Sequence, residues 1–150
     1  RCDVYTTDAS GLSSTRAAAA NPDKWLVLPE IISKEPLGPL VRHGDHQWGD
    51  VVRWSLNAMI IAEELGVSSE NVDAQLSSNV PEVLRLLGVE GSYGEMLELA
   101  PDWAYQIIKQ IGNYSESYEA NVGPDTPLEI ARGLNALWTQ GGILYAPPFR

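Results

Sequence analysis

The sequence has a single cysteine, Cys2, so no disulfide can close within its 150 residues and no thiolate metal cluster can form. Cys2 has two readings: a small buried hydrophobe at the start of a strand, or a thiol whose disulfide partner lies upstream of this sequence. Nothing beside it supplies the base that a catalytic thiol needs. Positive charge is also scarce. Ten Lys and Arg face twenty Asp and Glu, and the net charge of -10 repels phosphate backbones and anionic lipid, which argues against a nucleic-acid partner. No apolar run approaches the ~20 residues that cross a bilayer, and no basic-then-apolar leader opens the chain. The first residue is Arg1, and Arg1 to Tyr5 reads as the beginning of a strand, so the expected start lies inside a larger protein and the missing leader says nothing of compartment.

What is present suits one compact domain, with 44% hydrophobic residues and no internal repeat or low-complexity linker. The expected fold is an α/β start followed by a largely α-helical remainder. Asp3 to Thr7 alternates as a strand, and Asp8-Ala9-Ser10-Gly11 turns it into a helix over Leu12 to Ala20 that stops at Asn21-Pro22. Trp25 to Leu28, Glu30 to Ser33 and Leu37 to Arg42 read as short strands, kept to an edge or a bent path by Pro29, Pro36 and Pro39. Asp45 then caps the best helix. Its apolar stripe is expected at Trp48, Val51, Val52, Ser55, Met59 and Ala62, with Gly66 closing it. Helices are further expected from Ser68 or Ser69 to Gln75, from Pro81 to Gly88, over Tyr93 to Leu99, from Pro101-Asp102 through Ile111, and from Thr126-Pro127 to Gly141-Gly142.

Few of these residues suggest chemistry. His43 and His46 stand three apart beside Asp45 and Asp50, but no Cys or third His follows, and a closed zinc site demands four ligands. Solvated surface histidines are the expectation, and no metal or cofactor is implied. Gly88 to Gly94 has three glycines without a lysine or a preceding strand, so it is a helix connection and not a phosphate loop. Glu63 with Glu64, and Glu95 with Glu98, lack the apolar surroundings that would set one carboxyl apart as an acid. No serine sits at a nucleophile elbow. Trp48, Trp103 and Trp138 fall on apolar stripes and read as core, while Trp25 and Trp54 stay open. Asp8 differs from the rest. It ends an uncharged strand where open α/β sheets collect ligands, so it is either the N-cap of the next helix or a counter-ion for a bound cation.

The blocks RCDVYTTDASGL, LPEIISKEPLGPLVRHGDHQW, EELGV, DWAYQIIKQIGNY, NVGPDTPL and RGLNALWTQGGILYAPPFR resemble, in the same order, the closing region of the general L-amino-acid binding proteins of bacterial polar-amino-acid ABC transporters. The resemblance runs along essentially the whole chain and covers less than half of a family member. It implies a partial type II periplasmic-binding-protein fold, residues 1–66 being the hinge and returning lobe segment and 67–150 a helical C-terminal extension. It also implies that Asp8 holds the ligand's α-ammonium, that Thr7 and Ser10 line the hinge, and that Cys2 pairs with a cysteine of the missing lobe. The arginine and helix N-terminus that clamp the ligand's carboxylate are absent, so the isolated chain is expected to bind poorly. The function so implied is non-enzymatic: a periplasmic receptor part that takes L-amino acids to a membrane permease. The rival is a free-standing helical module that self-associates or binds a protein. Because the opening strand lacks sheet neighbours, a homo-oligomer is expected.

Overall fold

The computed structural model describes residues 3–149, so Cys2 and both readings of it lie outside the described residues. Among the described residues seven α-helices follow one another: α1 (Ala9–Ala17), α2 (His46–Glu64), α3 (Val72–Gln75), α4 (Pro81–Leu86), α5 (Tyr93–Met96), α6 (Trp103–Ile111) and α7 (Tyr114–Asn121). Among the described residues there is no strand, only an isolated bridge between Leu137 and Leu144. The α/β start is therefore corrected to a mostly helical chain. The β-branched content of residues 3–7 and 25–42 suggests strand, but a strand exists only as one side of a hydrogen-bonded ladder. Here Val4, Leu26, Ile31 and Leu40 stand exposed with no strand opposite them.

The chain divides into two compact units, one of residues up to 38 with 118–132, the other of 39–117 with 133 onward. In the second unit α2 packs on α4 and α6, and α3 packs on α6. Ala58, Ala62 and Ala104 are fully buried, and side chains this small let helix axes approach closely. Val67, Val72, Leu86, Leu87 and Ile108 fill the space between. Asp45 caps α2 as expected, accepting from the Trp48 amide at 3.1 Å. Of the stripe expected on α2, Ala62 is buried and Val51 packs against the core, but the buried face centres on Ala58, Ile60, Ile61 and Ala62, which leaves Trp48 54% exposed. The tail supplies the remaining apolar cover. Phe149 stacks on Trp54 at 5.2 Å between centroids and meets the edge of Trp103 at 6.1 Å, and its carbonyl accepts from Arg85 Nε at 3.2 Å. Of the three tryptophans expected in the core, Trp103 is buried, whereas Trp138 is half exposed and donates through Nε1 to Glu64 at 3.1 Å.

Two glycines set turns in this unit. Gly88 has φ +73°, and a Cβ there would lie 1.9 Å from the Pro101 carbonyl oxygen, so both the backbone angle and the close pass of the segment opening α6 require it. Gly112, with φ +92°, ends α6 and frees the chain to start α7. That start is a reciprocal cap. Asn113 Oδ1 accepts from the Glu116 amide at 3.0 Å while Glu116 Oε2 accepts from the Asn113 amide at 2.8 Å. Glu116 also accepts from the amide and hydroxyl of Ser69, and Asn113 Nδ2 donates to the Val67 carbonyl, so one carboxylate fixes both the α7 start and the 67–69 turn. The continuous helix expected after Pro127 does not form. Glu129 at φ 52° and Gly133 at φ +48° leave the right-handed helical region, and only short 3-10 turns remain at Gly133–Asn135 and Trp138–Gln140.

Candidate functional site

All three candidate site residues lie in the first unit, and the local fold gathers them around one carboxylate. Asp8 is the N-cap of α1, with extended backbone at ψ 155° that turns its side chain over the helix's first amides. Its Oδ2 accepts from the Gly11 amide at 2.8 Å and from the Ser10 hydroxyl, and its Oδ1 accepts from the Thr7 hydroxyl at 3.1 Å. A carboxylate offers about four lone-pair positions, so three donors leave one open to an outside group. The hydroxyls of Thr7 and Ser10 spend their protons on Asp8 and keep lone pairs as acceptors. The side chains of the cluster offer acceptors to an incoming cation or N–H group.

Hydrogen bonds hold the Asp8 carboxyl below the ordinary value of 3.8, the Ser10 hydroxyl first, then the Gly11 amide and the Thr7 hydroxyl. The residue is half-buried and stays ionised at neutral pH. Gly11 is the member that reading by motif missed. A Cβ there would come within 2.9 Å of Thr7 Cγ2 and 3.0 Å of Asp8 Oδ1, crowding the carboxylate. The signal was the glycine three residues after a capping Asp, at a helical position where alanine is the better former.

Arg16, the cation of α1, is bound in an ion pair with Glu129 of the same unit. It is thus engaged and supplies no free positive charge beside Asp8. His43 and His46 belong to the second unit, where with Asp45, Asp50 and Arg53 they line a surface depression of about 280 Å³. No group of three or more His, Cys, Asp or Glu placed to hold a metal occurs among the described residues. No helix is long and apolar enough to cross a membrane, again among the described residues.

No family model matches the chain. Individual relatives do. It is 56% identical over 150 residues to the glutamate/glutamine/aspartate/asparagine-binding protein of Rhodobacter capsulatus, covering 99% of this chain and 44% of that protein. It is 57% identical over 152 residues to the general L-amino acid-binding periplasmic protein of Rhizobium johnstonii, covering 100% of this chain and 45% of that protein. Among solved structures, an ABC transporter periplasmic binding protein from Brucella ovis with glutathione bound superposes with a TM-score of 0.94 at 52% identity, over 99% of this chain and 47% of that one. The chain thus spans less than half the length of the relatives it matches. Over that shared portion, the chain is a relative of the periplasmic binding proteins that serve amino-acid ABC transporters.

Proposed function

We propose that this chain is the C-terminal, non-catalytic part of a periplasmic receptor that captures amino acids by their α-ammonium group and passes them to the permease of an ABC transporter. The observation that carries this reading is the Asp8 carboxylate: ionised, half-buried and with one acceptor position open. The ligands in the relatives' names share one fragment. Glutamate, glutamine, aspartate and asparagine each pair an α-ammonium with an α-carboxylate, and the glutamyl residue of glutathione keeps both groups free. Asp8 with Thr7 and Ser10 answers the ammonium. The ligand carboxylate needs a cation or a row of amides, and Arg16, the cation of α1, is taken by Glu129. That half of the site is supplied elsewhere in the receptor, and this chain alone binds poorly because a dry cleft must compensate both ligand charges.

The partial type II binding-protein fold belongs to the same reading, with residues 1–66 as hinge and returning lobe segment and 67–150 as helical extension. Supporting it, the Brucella ovis receptor superposes closely on nearly all of this chain. The test is calorimetric titration of a receptor in which this chain replaces the matching portion of the Brucella ovis protein, with a panel of L-amino acids and glutathione. Binding is expected, and Asp8→Ala is expected to weaken it by roughly 30- to 5000-fold, the range for stranding one member of a desolvated charge pair. Ligand affinity unchanged by Asp8→Ala would end the assignment.

A further inference from the structure

Helix α1 carries in its first turn a residue that weakens it. Gly11 lies outside the left-handed region of backbone space, so any L-residue could adopt its conformation, and alanine would favour the helix. The reason for glycine is the space above it. A Cβ at position 11 would stand 2.9 Å from Thr7 Cγ2, 3.0 Å from Asp8 Oδ1 and 3.3 Å from Asp8 Oδ2, all of them side-chain atoms of the candidate site. Gly49, inside α2, gives the contrast: a Cβ there would meet only Val41 Cγ2, at an ordinary 3.7 Å. The missing methyl at position 11 lets the Asp8 carboxylate come down on the Gly11 amide, which donates to Oδ2 at 2.8 Å.

These contacts are coupled. Thr7 carries Cγ2 and Oγ1 on one carbon, so moving its methyl away from a new Cβ means turning χ1, and that takes the hydroxyl away from Asp8 Oδ1, now 3.1 Å distant. Asp8 in turn withdraws from a Cβ by moving off the Gly11 amide. We infer that Gly11 is a positioning residue of the ligand site: it offers the ligand no side chain, and by lacking one it lets Thr7 and Asp8 keep the geometry in which the carboxylate meets an α-ammonium group. This deepens the receptor reading above and rests on it. The Ser10 hydroxyl, the Gly11 amide and the Thr7 hydroxyl hold the Asp8 carboxyl below 3.8, in that order, with no charged side chain among them, Arg16 and Glu129 included. A methyl at position 11 disturbs two of these three donors, so the carboxyl becomes easier to protonate.

Calorimetric titration of L-glutamate into the receptor carrying this chain compares wild type, Gly11→Ala, Gly11→Ala with Thr7→Ser, and Asp8→Ala. Gly11→Ala is expected to weaken binding about 10-fold, the scale of one compromised charge-assisted hydrogen bond, while the receptor melts no lower than wild type because alanine is the better helix former. On acidification its affinity should begin to fall at a higher pH than that of wild type. Thr7→Ser deletes Cγ2 and keeps the hydroxyl, so the double variant should return to within about 3-fold of wild type. NMR titration of the Asp8 carboxyl in the chain alone reads the same geometry without ligand: its pKa should rise toward 3.8 in Gly11→Ala and drop again in the double variant.

Wild-type affinity in Gly11→Ala, or an unmoved Asp8 titration, would overturn the positioning role and leave the receptor reading intact provided that Asp8→Ala still weakens binding. Weaker binding with a lowered melting temperature and no rescue by Thr7→Ser would make Gly11 a structural residue of α1 and overturn the role as well. Wild-type affinity in Asp8→Ala would overturn the receptor reading, and this role with it.

Discussion

The two units spend their side chains in opposite ways. Every buried apolar side chain among the described residues lies in the second unit, where helices α2, α4 and α6 and the Phe149 tail enclose it. In the first unit the buried polar residue Ser13 has no apolar counterpart, and the unit is held by α1, the Arg16–Glu129 ion pair, the Tyr118 hydroxyl donating to the Ala131 carbonyl and the Arg132 guanidinium over the Tyr118 ring. Surface pairs of this kind contribute little each, so the second unit sets the stability of the whole. The polar cluster at Asp8 lies in the unit that contributes least to it.

The sharpest way to break that contrast is to truncate one apolar side chain in each unit. Leu86→Ala or Phe149→Ala in the second is expected to cost about 2–5 kcal/mol, the range for emptying a buried site, while Leu26→Ala or Ile31→Ala in the first stays within about 0.5 kcal/mol. Urea denaturation of the four variants checks this, and equal losses would erase the distinction. Next in size is Glu116→Ala, which leaves the Ser69 hydroxyl and amide and the Asn113 amide without their acceptor, at about 1–2 kcal/mol. Burial raises the Glu116 pKa, but the Ser69 hydroxyl and the Asn113 and Ser69 amides outweigh it and hold the value below 4.5. Its stabilisation is therefore complete above the unfolded value and disappears as pH falls through the lower folded one. Wild type should lose more stability than Glu116→Ala as pH falls from 5 to 3. Urea midpoints across that range measure it. Asp8→Ala should be smaller still for the whole molecule, fraying α1 without moving the urea midpoint, and faster amide exchange confined to residues 9–17 would show it. Smallest is Lys109→Met. The exposed Lys109 ammonium pairs with Asp73 at 2.6 Å, and its loss should leave the midpoint where it was.

Much of the second unit was legible in the sequence because its signals are local. Asp45 and Gly66 bracket α2, Pro81 opens α4, and the run from Trp103 to Ile111 has the helical period of α6. α7 escaped notice, although its Asn113 and Glu116 pair is the reciprocal cap in sequence form, because Tyr114–Asn121 lacks an apolar stripe to draw attention to it. The last expected helix failed for the opposite reason. Leu128, Ile130, Leu134, Leu137 and Trp138 have plausible spacing, but the left-handed backbone at Glu129 and Gly133 depends on contacts that no periodicity encodes. The strands expected at 3–7 and 25–42 illustrate a third limit. Side-chain type prescribes extension, whereas pairing requires a neighbour. At the site, the capping chemistry of Asp8 was visible from Asp-Ala-Ser-Gly, and the structure adds that Thr7 and Ser10 converge on the same carboxylate. That convergence could not be read from spacing, since it depends on the hydroxyl rotamers.

Asp8→Asn offers the most direct test of the receptor role, because asparagine caps a helix about as well as aspartate while it removes the charge and turns one acceptor oxygen into an NH2 donor. The measurement is calorimetric titration of L-glutamate into the receptor carrying this chain, wild type against Asp8→Asn, with a melting curve of each. The expected result is an unchanged melting temperature with affinity lowered by roughly 30-fold or more. Equal affinities at equal melting temperatures would contradict it, and would leave Asp8 as the cap of α1 and nothing further.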